Sequence, residues 1–458
     1  MSAFPDAAPQ SMRAFLAALD AAGALRRVAQ PVDPRHEVAA CLELLRGEGA
    51  ADAPALLFEN VAGSGLRIAG SLLNSRARIA QGLGTAPAAL QAHILRAIAH
   101  PLPPRVVPDG PCRAVAFDDP DLAALPIPSF FEHETGPYLT AGVIAALDPA
   151  TGARNLSFAR LKPLGGSRAF VGIAPNHHLA VMARAAHARG QRLPVAVTLG
   201  NHPAVLVAAA LYLGLGDDEM EVAGALMGTP VDVVRTAAGL QVPAHCEIVL
   251  EGTLDAGETV EEGPVSEFHG MYERYGAGQV VTFQRLARRP DAILQVIQPG
   301  WHPEHVLLGG VAIAAGLARA ARAAVPAAGE VAVGMGGAGR LHAVVALGPH
   351  RPGDPRKVMF ALWAAVNLVK RVVVVDDDID PWDATAVEWA IATRLKADRD
   401  LVVVPGVRAD RSEPLEQGGV VPKLGLDATR KAADRADWTP ARVPADVLAR
   451  MRKRLEER

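Results

Sequence analysis

The stretch "HCEIVLEGTL" (residues 245–254) decides how the middle of the chain folds. It is rich in Ile, Val, Leu and Thr and has the length of a β-strand. Runs of the same kind lie on both sides of it, at 140–148, 169–174, 194–200, 279–288 and 292–298. Because few helical patterns interrupt these runs, the sequence favours a β-barrel or sandwich over a doubly wound sheet.

The regions on either side of this strand-rich segment alternate helical and strand-like patterns. Residues 1–105 do so up to the proline-rich "HPLPPRVVPDGPCRAV", which marks a boundary. An apolar helix is expected over 301–325, and the alternation returns in 326–458. We therefore predict an N-terminal α/β domain (1–105), a β-rich domain (106–300), a linker helix (301–325) and a C-terminal α/β domain (326–458).

Composition narrows the classes of protein to consider. The net charge of −3 and the absence of a basic block make nucleic acid an unexpected partner. The 3 cysteines are far apart in sequence, so neither a disulfide framework nor a Cys-x-x-Cys metal pair is predicted. The longest apolar run, residues 309–325, is interrupted by two arginines and is expected to be too short for a membrane span. These features favour a cytoplasmic protein without a membrane or nucleic-acid partner.

Three polar clusters interrupt the strand-rich segment: "RNLSFARLKP" (154–163), "IAPNHHLAVMARAA" (173–186) and "LGDDEMEVAGALMG" (215–228). The second places two histidines where a helix begins, and the free N–H groups there suit an anion such as phosphate. An Asn, a His and a Glu from the three clusters would form a mixed set of ligands that favours Mn²⁺ or Mg²⁺ over structural Zn²⁺. Read singly, the same residues are ordinary helix caps and ion-paired surface groups.

The fourth cluster is "EEGPVSEFHG" (261–270), in which a Gly-Pro turn separates Glu262 from Glu267. If Arg160 pairs with one carboxylate, that carboxylate stays ionised, whereas burial against Phe268 would raise the pKa of the other. Two carboxyl groups with separated pKa values can serve as an acid/base pair near neutral pH. The alternative interpretation is a solvated acidic loop.

Together these segments resemble the UbiD-type decarboxylases, reversible (de)carboxylases of aromatic and unsaturated acids that use prenylated FMN. The resemblance is carried, in order, by "NLSFAR", "IAPNHH", "DEMEVAGAL", "VPAHCEIVLEG", "EEGPVSEFHG", "VVVVDDDID", "VEWAIATR" and "KLGLDAT". It implies an α/β (α+β) fold in which a split β-barrel domain binds the flavin between N-terminal and C-terminal α/β domains. It also implies that the C-terminal domain forms the contacts of a homodimer or higher oligomer.

The resemblance assigns roles to residues that match the family's motifs. Arg160, Glu262 and Glu267 would be the catalytic trio, with Glu267 as the proton donor that replaces CO₂. Asn155, His177 and Glu219 would bind Mn²⁺, which holds the cofactor phosphate beside a K⁺ ion. The residues expected to contact the cofactor are Asn155, Leu156, Ser157, Phe158, Ala159, Arg160, Asn176, His177 and Glu219.

The resemblance also suggests the type of substrate. "SEFHGMYERYG" looks closer to the versions found in enzymes for small heteroaromatic acids, so a furan- or pyrrole-type acid is expected. An α,β-unsaturated acid of the cinnamic type and a hydroxybenzoic acid are alternatives. A flavin prenyltransferase is the expected supplier of the cofactor. Three other functions stay open: a flavin reductase, a Mn²⁺-dependent hydrolase and a non-catalytic assembly subunit.

Overall fold

The computed structural model describes Phe4 and residues 7–46, 53–431, 433–434, 438–439 and 441–456. Its elements form a mixed α/β protein with an antiparallel sheet at the centre, as predicted. The first elements along the chain are α1 (Met12–Ala21), β1 (Leu25–Val28), α2 (Glu37–Leu44), β2 (Ala55–Phe58), β3 (Arg67–Gly70), α3 (Arg76–Gly82), α4 (Leu90–Ala99) and β4 (Arg105–Val106). Ser11 caps α1, because its side chain accepts a hydrogen bond from the Ala14 amide.

The strand-rich segment follows. Its strands are β5 (Val115–Asp118), β6 (Val143–Leu147), β7 (Arg154–Phe158), β8 (Arg160–Gly165), β9 (Arg168–Gly172), β10 (Leu193–Leu199), β11 (Asp232–Arg235), β12 (Gln241–Pro243), β13 (Ile248–Glu261), β14 (Val265–Ser266), β15 (Tyr272–Glu273), β16 (Ala277–Arg288) and β17 (Ile293–Gln295). Its helices are α5 (His178–His187), α6 (Pro203–Ala210) and α7 (Glu219–Met227). Helix α6 was not expected, because each of its apolar side chains is buried and the sequence therefore shows no amphipathic period.

The C-terminal segment completes the chain. Its elements are α8 (Pro303–Ala324), β18 (Ala328–Ala332), β19 (His342–Leu347), α9 (Asp354–Ala365), β20 (Arg371–Asp376), α10 (Ala384–Arg394), β21 (Leu401–Arg408), β22 (Val420–Ala428) and α11 (Ala445–Glu456). The strands form one sheet in the order β18-β19-β20-β22-β21, in which β19, β20 and β22 run parallel. This mixed sheet agrees with the α/β domain predicted for this part of the chain.

The central sheet has eight strands in the order β7-β6-β10-β13-β16-β9-β8, with β5 paired beside β16. Each pairing within it is antiparallel. The two strands that end this order, β7 and β8, are consecutive in the chain with only Ala159 between them, although they do not pair. Chain connectivity therefore closes the sheet where hydrogen bonds do not, which is the predicted split barrel.

Both faces of the central sheet are buried. Val143 and Ala145 of β6 belong to one core cluster, and Ile144 and Ala146 belong to the other. The alternation of side chains along a strand places these pairs on opposite faces. Coverage on both sides explains why the strands read as continuous apolar runs rather than as an alternating pattern.

The sheets do not coincide with the segments of the chain that were predicted from the sequence. Strand β17 pairs in parallel with β3 and so joins the sheet of the N-terminal segment, in the order β1-β2-β3-β17. Strand β4, at the expected first boundary, pairs with β11. The boundaries at 105, 300 and 325 remain predictions along the chain, and the N-terminal and β-rich segments share two sheets across the first of them.

Helix α8 occupies most of residues 301–325, the segment in which an apolar helix is expected. It begins at Pro303, with His302 as its N-cap, and has 22 residues. By length and composition it would suffice to cross a membrane, contrary to the expectation, but 67% of its most apolar window is buried inside the protein. Its apolarity is therefore explained by the core that it occupies.

Candidate active site

The two acidic residues of the fourth cluster converge with Arg160. Nε and Nη2 of Arg160 donate to Oε1 and Oε2 of Glu262 at 2.6 and 2.7 Å, which is a bidentate pair. Nη1 of the same guanidinium lies 3.6 Å from Oε1 of Glu267. One arginine therefore contacts both carboxylates, each through different nitrogen atoms.

The local structure fixes this arrangement. Arg160 begins β8, and its pairing partner on β9 is Gly172, where an added Cβ would lie 2.8 Å from the Arg160 side chain. Glu262 follows the end of β13, and Glu267 follows β14. A glycine opposite Arg160 thus leaves the space through which its side chain reaches the turn.

Hydrogen bonds from two side chains hold the backbone of Glu262 in place. The Thr135 hydroxyl and the Lys162 ammonium donate to its carbonyl oxygen at 2.9 and 2.5 Å. The Glu262 side chain is buried, whereas that of Glu267 is 14% exposed. The Glu262 carboxylate is consequently sealed behind Arg160, and the Glu267 carboxyl group faces a cavity.

Burial and ion pairing change the pKa values of the neighbouring groups. Burial alone would lower the pKa of Arg160, but the hydrogen bonds and the charge of Glu262 outweigh it and raise the pKa. Burial lowers the pKa of Lys162, and it raises that of Tyr275, whose ring centroid lies 5.5 Å from Cζ of Arg160. Arg160 is therefore a permanent cation that lies between the two carboxylates.

A cavity of about 520 Å³ joins this trio to the other polar clusters. Of the residues predicted to be in the site, the structure places nine in the cavity wall: Asn155, Leu156, Phe158, Ala159, Arg160, Asn176, His177, Glu219 and Glu267. The remaining two lie behind the wall. Glu262 pairs with Arg160, and the Ser157 hydroxyl donates to Oδ1 of Asn155 at 2.9 Å.

The second polar region of the cavity contains the three residues expected to bind a metal. Nδ2 of Asn155 donates to Oε1 of Glu219 at 3.1 Å, and the Leu156 amide donates to Oε2 at 2.8 Å. Glu219 begins α7, whereas His177 is the N-cap of α5 and caps it without a side-chain hydrogen bond. Asn155 and Glu219 are thus in contact, and His177 lines the same cavity.

These residues fit a divalent cation. Nδ1 of His177 is buried and has no hydrogen-bond partner among the described residues. Burial lowers the pKa of His177 to about 4, so its ring is neutral and can coordinate a metal. Burial raises the pKa of Glu219 to about 7, a cost that a bound cation would offset. The described part of the chain contains no cluster of three or more His, Cys, Asp or Glu side chains suited to a metal, and this set relies on the Asn155 amide.

Several residues of the cavity wall were not predicted from the sequence. Tyr275 follows β15, Arg340 precedes β19, and Arg411 lies between β21 and β22. Tyr275 belongs to the stretch "SEFHGMYERYG", which was used only to suggest the substrate type, and Arg340 and Arg411 belong to loops to which no role was assigned from the sequence. His305, in the segment "WHPEH" (301–305), also lines the cavity.

The split barrel and the Glu–Arg–Glu trio at its cavity define a carboxy-lyase of the flavin-binding type. Models of the N-terminal, Rift-related and C-terminal domains of 3-octaprenyl-4-hydroxybenzoate carboxy-lyase match residues 16–98, 105–302 and 306–428. The chain therefore belongs to the UbiD family and is a carboxy-lyase.

Proteins similar to this chain match it over nearly its whole length. An anhydromevalonate phosphate decarboxylase of Methanosarcina mazei is 34% identical over 95% of this chain and 99% of its own. The structure of the UbiD-class enzyme HmfF of Pelotomaculum thermopropionicum in complex with FMN has a TM-score of 0.90 and 35% identity, and covers 95% of this chain and 98% of its own. An evolved dimeric form of HmfF in complex with prFMN has a TM-score of 0.86 and 33% identity, with coverage of 96% and 98%.

Proposed function

We propose that this protein is a prenylated-FMN-dependent decarboxylase of an aromatic or heteroaromatic acid, of furan or pyrrole type, and that the reaction is reversible. The observation that carries the proposal is the contact of Arg160 with Glu262 and Glu267 at a cavity that also contains Asn155, His177 and Glu219. The HmfF structures, named as complexes with FMN and with prFMN, support the choice of cofactor.

The residues have separate roles in this proposal. Loss of CO₂ leaves negative charge on carbon, and the bound cofactor supplies the electron sink that side chains lack. Glu267 then delivers a proton to that carbon from its place in the cavity wall. Arg160 orients Glu267, and Glu262 neutralises the charge of Arg160. Because Glu262 occupies one edge of the guanidinium, Arg160 does not bind the departing carboxylate with both of its edges.

The apolar part of the wall assists this chemistry. Phe268 and Ile313 are buried and line the cavity, and Phe268 follows Glu267 directly in the chain. A dry surface disfavours a charged carboxylate relative to neutral CO₂ and protects the carbanion-like carbon from water. Conversion of the acid to CO₂ is thereby favoured before any residue acts as an acid.

The proposal also covers the metal ions, the partners and the cellular location of the protein. Mn²⁺ would be held by Asn155, His177 and Glu219, with K⁺ nearby, and together they would anchor the cofactor phosphate. A flavin prenyltransferase would supply the cofactor, and the protein would act in the cytoplasm as a homodimer or larger homo-oligomer. The HmfF structure described as dimeric supports the assembly.

A hydroxybenzoic acid is a second candidate for the substrate. It is favoured by the description of the family's founding activity as a 3-octaprenyl-4-hydroxybenzoate carboxy-lyase. The experiment that tests the function is production of the protein together with a flavin prenyltransferase, followed by mass analysis of the cofactor and assays of CO₂ release. Furan-, pyrrole- and hydroxybenzoic acids would be compared in parallel. Turnover of a cyclic acid that requires prenylated FMN supports the proposal, whereas turnover without the prenylated cofactor contradicts it.

A further inference from the structure

A second cationic group lies in the cavity wall and takes no part in the trio. Arg340 precedes β19, and Cζ of its guanidinium lies 4.7 Å from the centroid of the Phe268 ring. Phe268 follows Glu267 directly in the chain. Arg340 is therefore on the same side of the cavity as the proposed proton donor.

Arg340 has no ion-pair partner in the described part of the chain. Its guanidinium contacts Nε2 of His305, and no carboxylate oxygen of the described residues lies within the 4.0 Å of an ion pair, although the charge of Glu267 acts on it from farther away. Burial lowers the pKa of Arg340, yet a guanidinium remains protonated in proteins. A partly buried cation without an ion-pair partner is costly, so an anion is expected to complete the site.

Two residues hold the Arg340 side chain in position. Nδ1 of His305 lies 3.1 Å from the Gly300 carbonyl oxygen, and Nη2 of Arg340 lies 3.4 Å from Nε2 of His305. Burial lowers the pKa of His305 to about 3, so the ring is neutral, donates from Nδ1 and accepts at Nε2. Gly309 leaves room for the guanidinium, because an added Cβ would lie 2.7 Å from its nitrogen atoms.

The other arginines of the cavity are less suited to bind an anion. Arg160 already holds the Glu262 carboxylate through two nitrogen atoms. Arg411 is exposed at the rim and its Cζ lies 4.4 Å from the centroid of the Tyr275 ring. Arg340 differs from both, because its guanidinium lines the cavity, is only partly exposed and has no ion-pair partner in the described part of the chain.

We propose that Arg340 binds a second anionic group of the substrate, a carboxylate or a phosphate ester, placed away from the carboxylate that is lost. The inference rests on the proposed function and narrows the substrate to a dianionic acid. A guanidinium can form two parallel hydrogen bonds with either group. Phe268 and Ile313 would contact the ring or alkene between the two charges.

The test compares ligands that differ only in the second charge. Binding of furan-2-carboxylate, furan-2,5-dicarboxylate and the phosphate ester of 5-hydroxymethylfuran-2-carboxylate is measured by calorimetry. The protein carries its cofactor and the Glu267→Gln substitution, which blocks the proposed proton transfer. At least one of the two ligands with a second charged group should bind about 30-fold more tightly than the monocarboxylate, as expected for a buried charge pair. The ligand with the larger Arg340-dependent gain identifies the anionic group.

Variants of Arg340 and its neighbours complete the test. Arg340→Met should remove the advantage of the second charge without weakening the monocarboxylate, and Gly309→Ala should reduce it by displacing the guanidinium. Arg319→Met removes an exposed charge from α8, outside the cavity wall, and should leave the advantage unchanged. Equal affinity for all three ligands, or an advantage that survives Arg340→Met, overturns the proposal. Loss of cofactor from Arg340→Met also overturns it and assigns Arg340 to the cofactor. Because the binding measurement requires no turnover, it can be interpreted even if the protein does not catalyse the proposed reaction.

Discussion

Glu262 and Glu267 lie on the same short turn, yet their surroundings differ. The Glu262 side chain is buried and its carboxylate accepts two hydrogen bonds from Arg160. Glu267 meets Arg160 through one nitrogen at 3.6 Å and lines the cavity. Glu262 is therefore held by two charge-assisted hydrogen bonds, whereas Glu267 is the carboxyl group of the pair that is placed to meet a ligand.

The metal site leads to a prediction about single residues. If Glu219, His177 and Asn155 bind the cation as proposed, Mn²⁺ should raise the melting temperature of the protein without cofactor by binding the folded state. Glu219→Gln should remove that response, since an amide binds the cation more weakly than a carboxylate. Thermal unfolding with and without Mn²⁺ measures the effect.

Glu304→Gln provides the matched control for this prediction. Glu304 is also buried and also has a pKa raised to about 7, but it lies at the start of α8, away from the proposed ligands. Its variant should keep the response to Mn²⁺. An undiminished response in Glu219→Gln would contradict the assignment of the metal site.

At the residue scale, the sequence allowed prediction of the groups that carry short motifs. The trio and the three metal-site residues were identified from charged or polar residues set in apolar stretches and from their resemblance to the family. Tyr275, Arg340 and Arg411 could not be found in this way, because each reaches the cavity from a loop whose position depends on tertiary packing.

Among the elements, the turn between β13 and β14 depends on Gly263. Its φ of 86° is unfavourable for other residues, and an added Cβ would lie 2.8 Å from Cγ2 of Thr135. Gly263→Ala should lower the free energy of unfolding by about 1–3 kcal/mol. It should also reduce activity by displacing Glu262. Urea unfolding and the rate of CO₂ release measure the two effects.

Gly239→Ala is the control for the turn. Gly239 has a φ of 82° and no atom within 4 Å of an added Cβ. The control variant should lose stability through the backbone conformation alone and retain activity. Equal losses of activity in the two variants would show that the Thr135 contact does not position Glu262.

The start of α8 gives a pH-dependent prediction. Burial raises the pKa of Glu304 from 4.5 to about 7. The folded protein therefore keeps a proton that the unfolded chain releases as the pH rises above about 4.5. This contribution to stability is fully present below that pH, is lost as the pH rises through 7, and amounts to about 3 kcal/mol.

Replacement of Glu304 by glutamine should abolish that contribution. Glu304→Gln keeps an acceptor for the Leu73 amide, which donates to Oε1 of Glu304 at 2.9 Å. The variant should be more stable than the wild type at pH 8 and similar to it at pH 4.5. Denaturant unfolding at both pH values is the measurement, and a difference of equal size at the two values would contradict the expectation.

Helices and strands with a clear pattern were predictable, and those without one were not. The strand-like stretch at 245–254 and the apolar helix over 301–325 were identified in the sequence, and the structure contains them as β13 and α8. Helix α6 was missed because its burial on all sides leaves no period, and β21 and β22 were not identified as strands. The spacing of apolar residues depends on which faces of a helix or strand are buried, and the sequence alone does not show which faces those are.

For the whole molecule, a buried ion-pair network joins the N-terminal segment to the barrel. Nε and Nη2 of Arg13 on α1 donate to Oε1 and Oε2 of Glu247 at 2.7 and 2.9 Å, and Arg13 also pairs with Asp291. Arg13 and Glu247 are fully buried. Because β17 follows Asp291 and joins the N-terminal sheet, this network connects two sheets.

Removal of one partner should therefore destabilise the whole protein. Arg13→Met leaves the buried Glu247 carboxylate without its principal partner and should cost about 3–5 kcal/mol of unfolding free energy. Arg105→Met, which breaks the exposed pair with Asp232, should cost about 1 kcal/mol or less. Chemical unfolding of both variants tests the difference. Similar costs would show that the Arg13 network does not join the two segments energetically.

The architecture of the whole molecule was predictable only in outline. Strand content favoured a barrel or sandwich, and the resemblance to the family supplied the split barrel and its two flanking domains. The pairing of β17 with β3 was not predictable, because long-range parallel pairing leaves no local signal. Arg340 and the segment around Arg411 line the cavity, and their positions were not predictable because they depend on tertiary packing.

The central claim is that Glu267 transfers the proton that replaces CO₂. The most direct measurement is the exchange of the ring hydrogen of the decarboxylated product in D₂O, catalysed by protein loaded with prenylated FMN. The wild type should catalyse this exchange, and Glu267→Gln should slow it by about 10²–10⁴-fold with unchanged cofactor content. Exchange at the wild-type rate in Glu267→Gln would contradict the account.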